Sequence, residues 1–149
     1  YTHLLSQTKK KKKLILCFIA VCQSYGRWYQ MSRIFQATNI ILDGLPITDA
    51  GIKNLCSGPA AKTLTLLSLR RCTKLTDDSL TAIANNCFQL RTLYLEECRV
   101  TSVGVSILLE ACAELTDLFV AACDLVDTDV ISSMAKDLNV NVLLMPNAL

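Results

Sequence analysis

The residues of this sequence with the greatest capacity for chemistry are its cysteines. The chain of 149 residues contains eight cysteines and a single histidine, His3. A cysteine thiolate can act as a nucleophile, bind a metal or join a second thiol in a disulfide. Each of these uses requires particular neighbours at short range. The spacing of the cysteines therefore indicates which use the protein makes of them.

The cysteines recur at a regular interval along the chain. Cys72, Cys98 and Cys123 lie 26 and 25 positions apart, and Cys87 and Cys112 lie 25 positions apart. No Cys-x-x-Cys pair occurs, whereas a zinc site needs clustered ligands. We therefore expect no metal and no cofactor, and we interpret the periodic cysteines as reduced, buried apolar side chains. Reduced thiols indicate a cytoplasmic or nuclear protein.

The titratable residues do not form a recognisable catalytic set. Acid–base catalysis needs ionisable groups held next to a substrate. His3 lies at the start of the chain, no Ser-His-Asp combination is available, and the glycines Gly51, Gly58 and Gly104 are dispersed instead of forming a phosphate-binding loop. We expect that the protein is not an enzyme.

The interval between the cysteines belongs to a longer repeat. The pattern Leu-x-x-Leu-x-Leu-x-x-Cys begins at Leu64 and Leu90, and it returns at Leu115 with one valine. A degenerate copy begins at Ala37 and a truncated copy at Val140, so that successive starts lie 27, 26, 25 and 25 residues apart. A fixed period of this size indicates a stack of similar units.

Each unit is predicted to form a strand, a turn and a helix. Leu-x-Leu has the period of two that places alternate side chains on one face of a strand. The apolar residues that follow are spaced i, i+3, i+4 and i+7, which is one face of a helix. Between the two patterns stands a residue suited to cap a helix N-terminus. These residues are Thr48, Thr76, Thr101 and Asp127.

The repeated pattern resembles the cysteine-containing subtype of leucine-rich repeats. The motifs that carry the resemblance are Leu-Arg-Arg-Cys at 69–72, Leu-Thr-Asp at 75–77 and Leu-Glu-Glu-Cys at 95–98. That subtype is typical of F-box/LRR substrate receptors and of mitotic-exit-antagonist-like proteins. The resemblance implies an α/β fold, a leucine-rich-repeat solenoid in a short right-handed horseshoe arc. Parallel strands would line its concave face and helices its convex face.

The same resemblance implies a protein-interaction module. By analogy, it could be the substrate-recognition part of an SCF-type ubiquitin ligase that meets a Skp-type adaptor and a cullin. Residues 1–36 contain no convincing F-box, so this narrower role depends on analogy alone. The alternative is a structural subunit of a larger complex, with the concave face permanently buried.

The chain divides into residues 1–36 and a leucine-rich-repeat domain of about four repeats and a truncated strand at 37–149. The first part has seven Lys or Arg and no acidic residue, and the second has eight basic and thirteen acidic residues, a net charge of −5. An acidic repeat domain does not favour nucleic-acid binding.

Because the chain begins with Tyr1 instead of methionine, we interpret it as a fragment or a processed chain of a longer protein.

The lysines of residues 9–13 precede nine apolar residues at 14–22. Three interpretations of residues 1–36 remain open: a cap helix, a non-native tail, or a targeting signal that would make the protein secreted. The apolar run is too short to span a membrane as a helix.

Residues between the strand leucines should face outward on the concave side in three columns. In the truncated copy we align Leu143 and Met145 with the strand leucines, which places Leu144 in the middle column. This column is mostly apolar, and contiguous exposed apolar area marks contact sites, although strand preference alone also favours such residues. Flanking charges would form a polar rim. The predicted partner-binding residues are Ile41, Asp43, Ser68, Arg70, Tyr94, Glu96, Asp117, Phe119 and Leu144.

Overall fold

Strands and helices alternate along residues 38–145, the part of the chain that the computed structural model describes. The strands are β1 (Asn39–Ile41), β2 (Leu66–Arg70), β3 (Thr92–Glu96), β4 (Asp117–Ala121) and β5 (Asn141–Met145). The α-helices are α1 (Asp49–Ser57), α2 (Asp77–Asn86), α3 (Ser102–Ala111) and α4 (Thr128–Asp137), and a 3₁₀ turn, Pro59–Lys62, follows α1. The three interpretations of residues 1–36 lie outside this range. No helix within it is long and apolar enough to cross a membrane.

The five strands form one parallel sheet in chain order, β1-β2-β3-β4-β5. Each strand pairs with its successor in the repeat register, so that Leu67 pairs with Leu93, and Leu93 pairs with Leu118. This arrangement confirms the predicted α/β solenoid of strand–turn–helix units. Its sheet has a solvent-facing side, which we call the concave face, and an inner side that packs against the helices.

The core lies between the inner side of the sheet and the helices. The inward leucines of β2 and β3 are no more than 1% exposed, and Leu80, Ile83, Val105 and Leu108 meet them from α2 and α3 at 0%. Full burial of one such side chain contributes roughly 1.5–3 kcal/mol relative to leaving it in water. Neither the strands nor the helices bury these faces without the neighbouring repeat, so stacking is the source of the fold's stability.

Three of the four predicted helix caps make the expected hydrogen bond. Thr76 and Thr101 accept from the backbone N–H two residues later, and Asp127 accepts from the N–H groups of Asp129 and Val130. A cap of this kind is worth about 1 kcal/mol. These caps satisfy backbone N–H groups at the starts of α2, α3 and α4.

The turns after β1, β2, β3 and β4 each use a residue with positive φ. Gly44, Arg71, Glu97 and Ala122 have φ values of 70°, 60°, 51° and 50°. Their N–H groups donate to carbonyls of the following repeat, for example from Arg71 to Glu96 at 2.7 Å and from Glu97 to Ala121 at 3.0 Å. The turn therefore continues the hydrogen bonding of the sheet beyond the strand ends.

The last strand corrects the sequence prediction by one residue. Phe119 pairs with Leu143 and Val120 pairs with Leu144. Leu144 therefore packs partly buried against the core, and Leu143, which is 47% exposed, takes its predicted place on the concave face. A slip of one residue exchanges the two faces of a strand.

The cause of this slip is a change in the connections around α4. From strand start to cap, Thr92 to Thr101 is 9 positions and Asp117 to Asp127 is 10, so the connection before α4 is one residue longer. From cap to the next strand start, Thr101 to Asp117 is 16 positions and Asp127 to Asn141 is 14, so the connection after α4 is two residues shorter. The net change is one residue, and the strand starts lie 24 positions apart instead of 25. Asn139, with φ of 57°, makes the shorter turn.

Candidate protein-binding face

The middle column of the concave face contains Ile41, Ser68, Tyr94, Phe119 and Leu143, paired strand by strand in register. Ile41 is 45% exposed, and the two aromatic side chains are half-buried. The parallel register places equivalent side chains of adjacent strands about 4.8 Å apart. Side chains in this column therefore form a ladder across the sheet, interrupted between Ile41 and Tyr94 by the buried Ser68.

The centre of the ladder is an aromatic stack. The rings of Tyr94 and Phe119 lie parallel within 8°, with centroids 4.5 Å apart. The guanidinium carbon of Arg70 lies 4.3 Å from the centroid of the Tyr94 ring. An aromatic pair contributes about 0.5–1.5 kcal/mol beyond its burial, and an exposed cation–π contact about 0.5–1 kcal/mol. These contacts hold the rings in fixed positions on an open surface.

Charged residues flank the stack on one side. Arg70 and Glu96, two of the predicted rim charges, form an ion pair with Nε and Oε2 3.9 Å apart. Arg71 and Glu97 repeat the pair one position later, also at 3.9 Å. All four side chains are at least 38% exposed, so each pair contributes at most about 1 kcal/mol. Their role is to form a polar edge beside the apolar ladder.

Two predicted contact residues, Ser68 and Asp117, hydrogen-bond to the neighbouring repeat. Ser68 is covered, whereas Asp117 stays half-exposed on the concave face. Ser68 is 4% exposed, because its hydroxyl donates to Asp43 Oδ1 at 2.6 Å. The same carboxylate oxygen accepts from the backbone N–H of Arg70 at 3.0 Å. Ser68 therefore lies beneath the surface that a partner would contact. Asp117 accepts from Thr116 Oγ1 and Asn141 Nδ2, at 2.9 and 3.4 Å.

A shallow groove of about 330 Å³ lies beside the aromatic stack. Sequence reasoning missed two of its lining residues, Leu143 and Met145, which are 47% and 56% exposed. The missed signal is the unbroken apolar run at the end of the repeat, which hides the alternation of faces. The groove is lined by Arg70, Tyr94, Phe119, Ala121, Leu143 and Met145.

The helix starts contain residues that join neighbouring repeats, a role that the sequence prediction did not assign to them. Asp49 accepts hydrogen bonds from the N–H and hydroxyl of Thr76 in the next repeat, at 2.9 and 2.7 Å, and from the hydroxyl of Ser79. Asp77 accepts from the N–H and hydroxyl of Thr101 at 2.7 and 2.5 Å. Each acid therefore fixes the helix start of the following repeat.

These hydrogen bonds affect the ionisation of Asp49. Partial burial disfavours its charged form, but the bonds from Ser79 and Thr76 and the charge of Lys53 together lower the pKa of Asp49 below its ordinary value. The carboxylate is therefore charged at neutral pH and acts as a structural acceptor.

Four of the periodic cysteines are buried thiols whose pKa is raised by burial, namely Cys72, Cys98, Cys112 and Cys123. Cys72 and Cys98 donate to carbonyls of the preceding strand, Leu42 O and Leu69 O, each at 3.2 Å. Burial raises the pKa of Cys98 to about 12 and that of Cys112 to about 11. Thiols in this state are poor nucleophiles and metal ligands. Within residues 38–145, His, Cys, Asp and Glu form no group of three or more that could hold a metal ion.

The stacked parallel strands and their helices define the chain as a leucine-rich-repeat-like solenoid. Among solved structures, it is similar to one described as leiomodin-1 actin-binding site 2. The TM-score is 0.57 and the identity 18%, over 74% of this chain and 70% of that one. At this identity the likeness establishes the fold alone. No family model and no curated protein matches the sequence.

Proposed function

We propose that this protein is a protein-interaction module whose concave face binds a protein partner. The observation that supports the proposal most is the parallel stack of Tyr94 on Phe119 in the open face of the sheet. A solvent-facing strand position ordinarily carries a polar residue. Here the ladder instead presents rings and exposed aliphatic side chains, and such contiguous area is typical of contact surfaces.

The geometry of the stack suits it to act as an anchor. Arg70 contacts one face of Tyr94 and Phe119 stacks on the ring, so the side chains are already ordered before a partner arrives. Pre-ordered side chains lose less conformational entropy on binding, which leaves more of the contact energy as affinity. Tyr and Arg are also the residue types most common among interface hot spots.

The groove beside Phe119 offers space for one large apolar side chain of the partner. Leu143 and Met145 form its far wall, and the Arg70–Glu96 pair lies at its other end. An apolar centre with a polar edge is the usual arrangement of a specific interface. The pair would fix the orientation of a partner more than it would add to affinity.

Two more specific hypotheses about the partner can be tested directly. The repeat resemblance points to substrate recognition in a ubiquitin ligase, which predicts co-purification with a Skp-type adaptor and a cullin. The similar solved structure is named for an actin-binding site, so filamentous and monomeric actin are suitable first candidates in a sedimentation assay.

The test is affinity capture with quantitative mass spectrometry, comparing wild type with Tyr94→Ala/Phe119→Ala. We expect the double variant to lose the partner, with at least about a tenfold fall in recovery, since two hot-spot truncations each cost more than about 1 kcal/mol. Phe88→Ala/Val103→Ala is the matched control, because these side chains are 63% and 66% exposed and lie outside the strands.

Circular dichroism should show that all three proteins are equally folded. Retention of every partner by the Tyr94/Phe119 variant, or equal loss with the control variant, would contradict the proposal.

The second candidate function is that of a structural subunit of a larger complex. The apolar character of the ladder favours this function, because it suits a permanently buried surface better than a charged receptor surface. An apolar contact persists in high salt because screening weakens only its charged edge. A partner that stays bound through a wash in concentrated salt would indicate permanent assembly. A partner that exchanges within minutes would indicate a receptor.

A further inference from the structure

Two buried thiols from neighbouring repeats lie in contact where their helices end. Sγ of Cys56, in the last turn of α1, is 3.7 Å from Sγ of Cys87, the C-cap residue of α2. The two residues are 3% and 0% exposed, and both are free thiols. A disulfide has sulfurs about 2.05 Å apart, so an approach of about 1.7 Å would join them.

This pair differs from the other cysteines of residues 38–145. Cys72, Cys98 and Cys123 donate their thiol protons to backbone carbonyls at 3.2–3.4 Å. Among the hydrogen bonds of the described residues, the contact between Cys56 and Cys87 is the one that joins two thiols. A structural role in the turn explains Cys72, Cys98 and Cys123, but it does not explain the contact between Cys56 and Cys87.

The shared hydrogen bond divides the roles within the pair. It raises the pKa of Cys56, which keeps its proton, and it lowers the pKa of Cys87, whose thiolate receives that bond. Cys87 is therefore the sulfur that ionises first. The thiolate is the reactive form of cysteine towards oxidants.

We propose that Cys56 and Cys87 are an oxidation site that a peroxide closes to a disulfide, linking the first described repeat to the second. Cys87 thiolate attacks one oxygen of hydrogen peroxide, the O–O bond breaks, and hydroxide leaves as Cys87 becomes a sulfenic acid. The hydroxide takes the proton that Cys87 had lost to solvent. Cys56 sulfur then attacks the sulfenic sulfur, the S–O bond breaks, and the departing hydroxide takes the Cys56 proton. The sum is two thiols and one peroxide giving one disulfide and two waters.

Access to the pair comes through the end of α1. The helix finishes at Ser57, and Gly58 and the short Pro59–Lys62 turn follow it. Helix ends open locally at far lower free energy than the whole domain. Peroxide is small and uncharged, so a brief opening of one turn admits it.

The pair can be identified by peptide mapping of the full chain. Trypsin releases Cys56 in residues 54–62 and Cys87 in residues 75–91, because Lys53, Lys62, Lys74 and Arg91 border these segments. The reduced protein is treated with hydrogen peroxide, denatured, alkylated with iodoacetamide and digested. The proposal predicts a product equal to the two peptides joined with the loss of two hydrogens.

The matched comparison is Cys87 with Cys112, which occupies the equivalent position one repeat later. Cys112 lies in residues 100–136 together with Cys123, so fragment ions must assign the linked sulfur. We expect the 54–62/75–91 product to exceed the 75–91/100–136 product at least about tenfold, because disulfide formation requires close sulfurs. The preference should disappear when oxidation is carried out in concentrated urea. Cys112→Ser should keep the product and Cys87→Ser should lose it.

Complete alkylation of Cys56 and Cys87 after peroxide treatment would overturn the proposal. So would equal yields of the two cross-linked products in the folded protein, or the same preference in urea. The wild-type mapping decides the question even if a serine variant does not fold.

Discussion

The central repeats and the last repeat share one sequence pattern but differ in how deeply their inward side chains are buried. In β3, the inward residues Leu93 and Leu95 are at most 1% exposed. In β5, the corresponding Val142 and Leu144 are only partly buried against the core. Among the described strands β3 pairs with two neighbours and β5 with one, so the inward side chains of β5 lack the cover that a second repeat gives those of β3.

Exposed apolar side chains accumulate at the same end of the molecule. Of the nine large apolar residues that are exposed within residues 38–145, five lie between positions 125 and 145. They are Leu125, Val130, Leu138, Leu143 and Met145. A region with this character opens at lower free energy than the centre of the stack.

The largest expected effect comes from truncating equivalent leucines in the two regions. We expect Leu95→Ala to lower the free energy of unfolding by about 3–5 kcal/mol, because it leaves a closed cavity. Leu144→Ala, in register with it one strand beyond β4, should cost only about 1–2 kcal/mol, because the site can relax towards solvent. Urea denaturation of both variants measures the difference. Equal costs would contradict the contrast between centre and end.

The second prediction concerns the packing of Asp77 against the next helix. A Cβ atom on Gly104 would lie 2.6 Å from Cγ of Asp77, so Gly104→Ala should displace the carboxylate from Thr101. We expect a loss of about 2–3 kcal/mol. In the last repeat, Val130 occupies the position that corresponds to Gly104. The residue that faces it from the preceding helix start, at the position that corresponds to Asp77, is Ser102.

A double-mutant cycle isolates the contact behind this effect. In an Asp77→Gly background, which removes both the carboxylate and the Asp77 Cβ that would lie 2.9 Å from the new Cβ, Gly104→Ala should become neutral or stabilising, because alanine is the better helix former by about 1 kcal/mol. An undiminished cost in that background would mean that Asp77 is not the cause.

A smaller effect is expected from Asp49, and it depends on pH. Asp49→Asn removes a charged acceptor of Thr76 and Ser79 and should cost about 1–2 kcal/mol at neutral pH. Since folding lowers the pKa of Asp49, its contribution is complete above the ordinary aspartate pKa of about 3.9. It disappears as the pH falls through the lower folded value.

Chemical denaturation of wild type and Asp49→Asn from neutral pH down to about pH 3 follows this contribution. The two stabilities should converge at the acidic end. A gap that stays constant with pH would show that the charge of Asp49 is unimportant.

The sequence was sufficient to predict the elements whose signals are local. The Leu-x-Leu period predicted β2, β3 and β4, and Thr76 and Thr101 were predicted caps that the structure confirms. Leu144 was misplaced because five of the six residues from Val140 to Met145 are apolar, so no alternation marks the frame. The pairing of Ser68 with Asp43 and of Asp77 with Thr101 joins residues 24–25 positions apart. Side-chain contacts of that kind follow from the stacked fold, not from any local pattern.

Part of the candidate site could be predicted for the same reason. Tyr94, Phe119, Arg70 and Glu96 lie on one face because the period of two places them there, and the parallel register then brings them together. The distances that make the site a fixed anchor, 4.5 Å between the rings and 4.3 Å to the cation, depend on side-chain conformations that the pattern does not encode.

Hydrogen exchange of the native protein, read by mass spectrometry, tests most directly the claim that neighbouring repeats stabilise one another. Amides of β3, which pairs on both sides, should exchange most slowly and only through global unfolding. Amides of β5 and α4 should exchange faster, through opening of the last repeat. Equal protection of β3 and β5, or faster exchange in β3, would contradict the account.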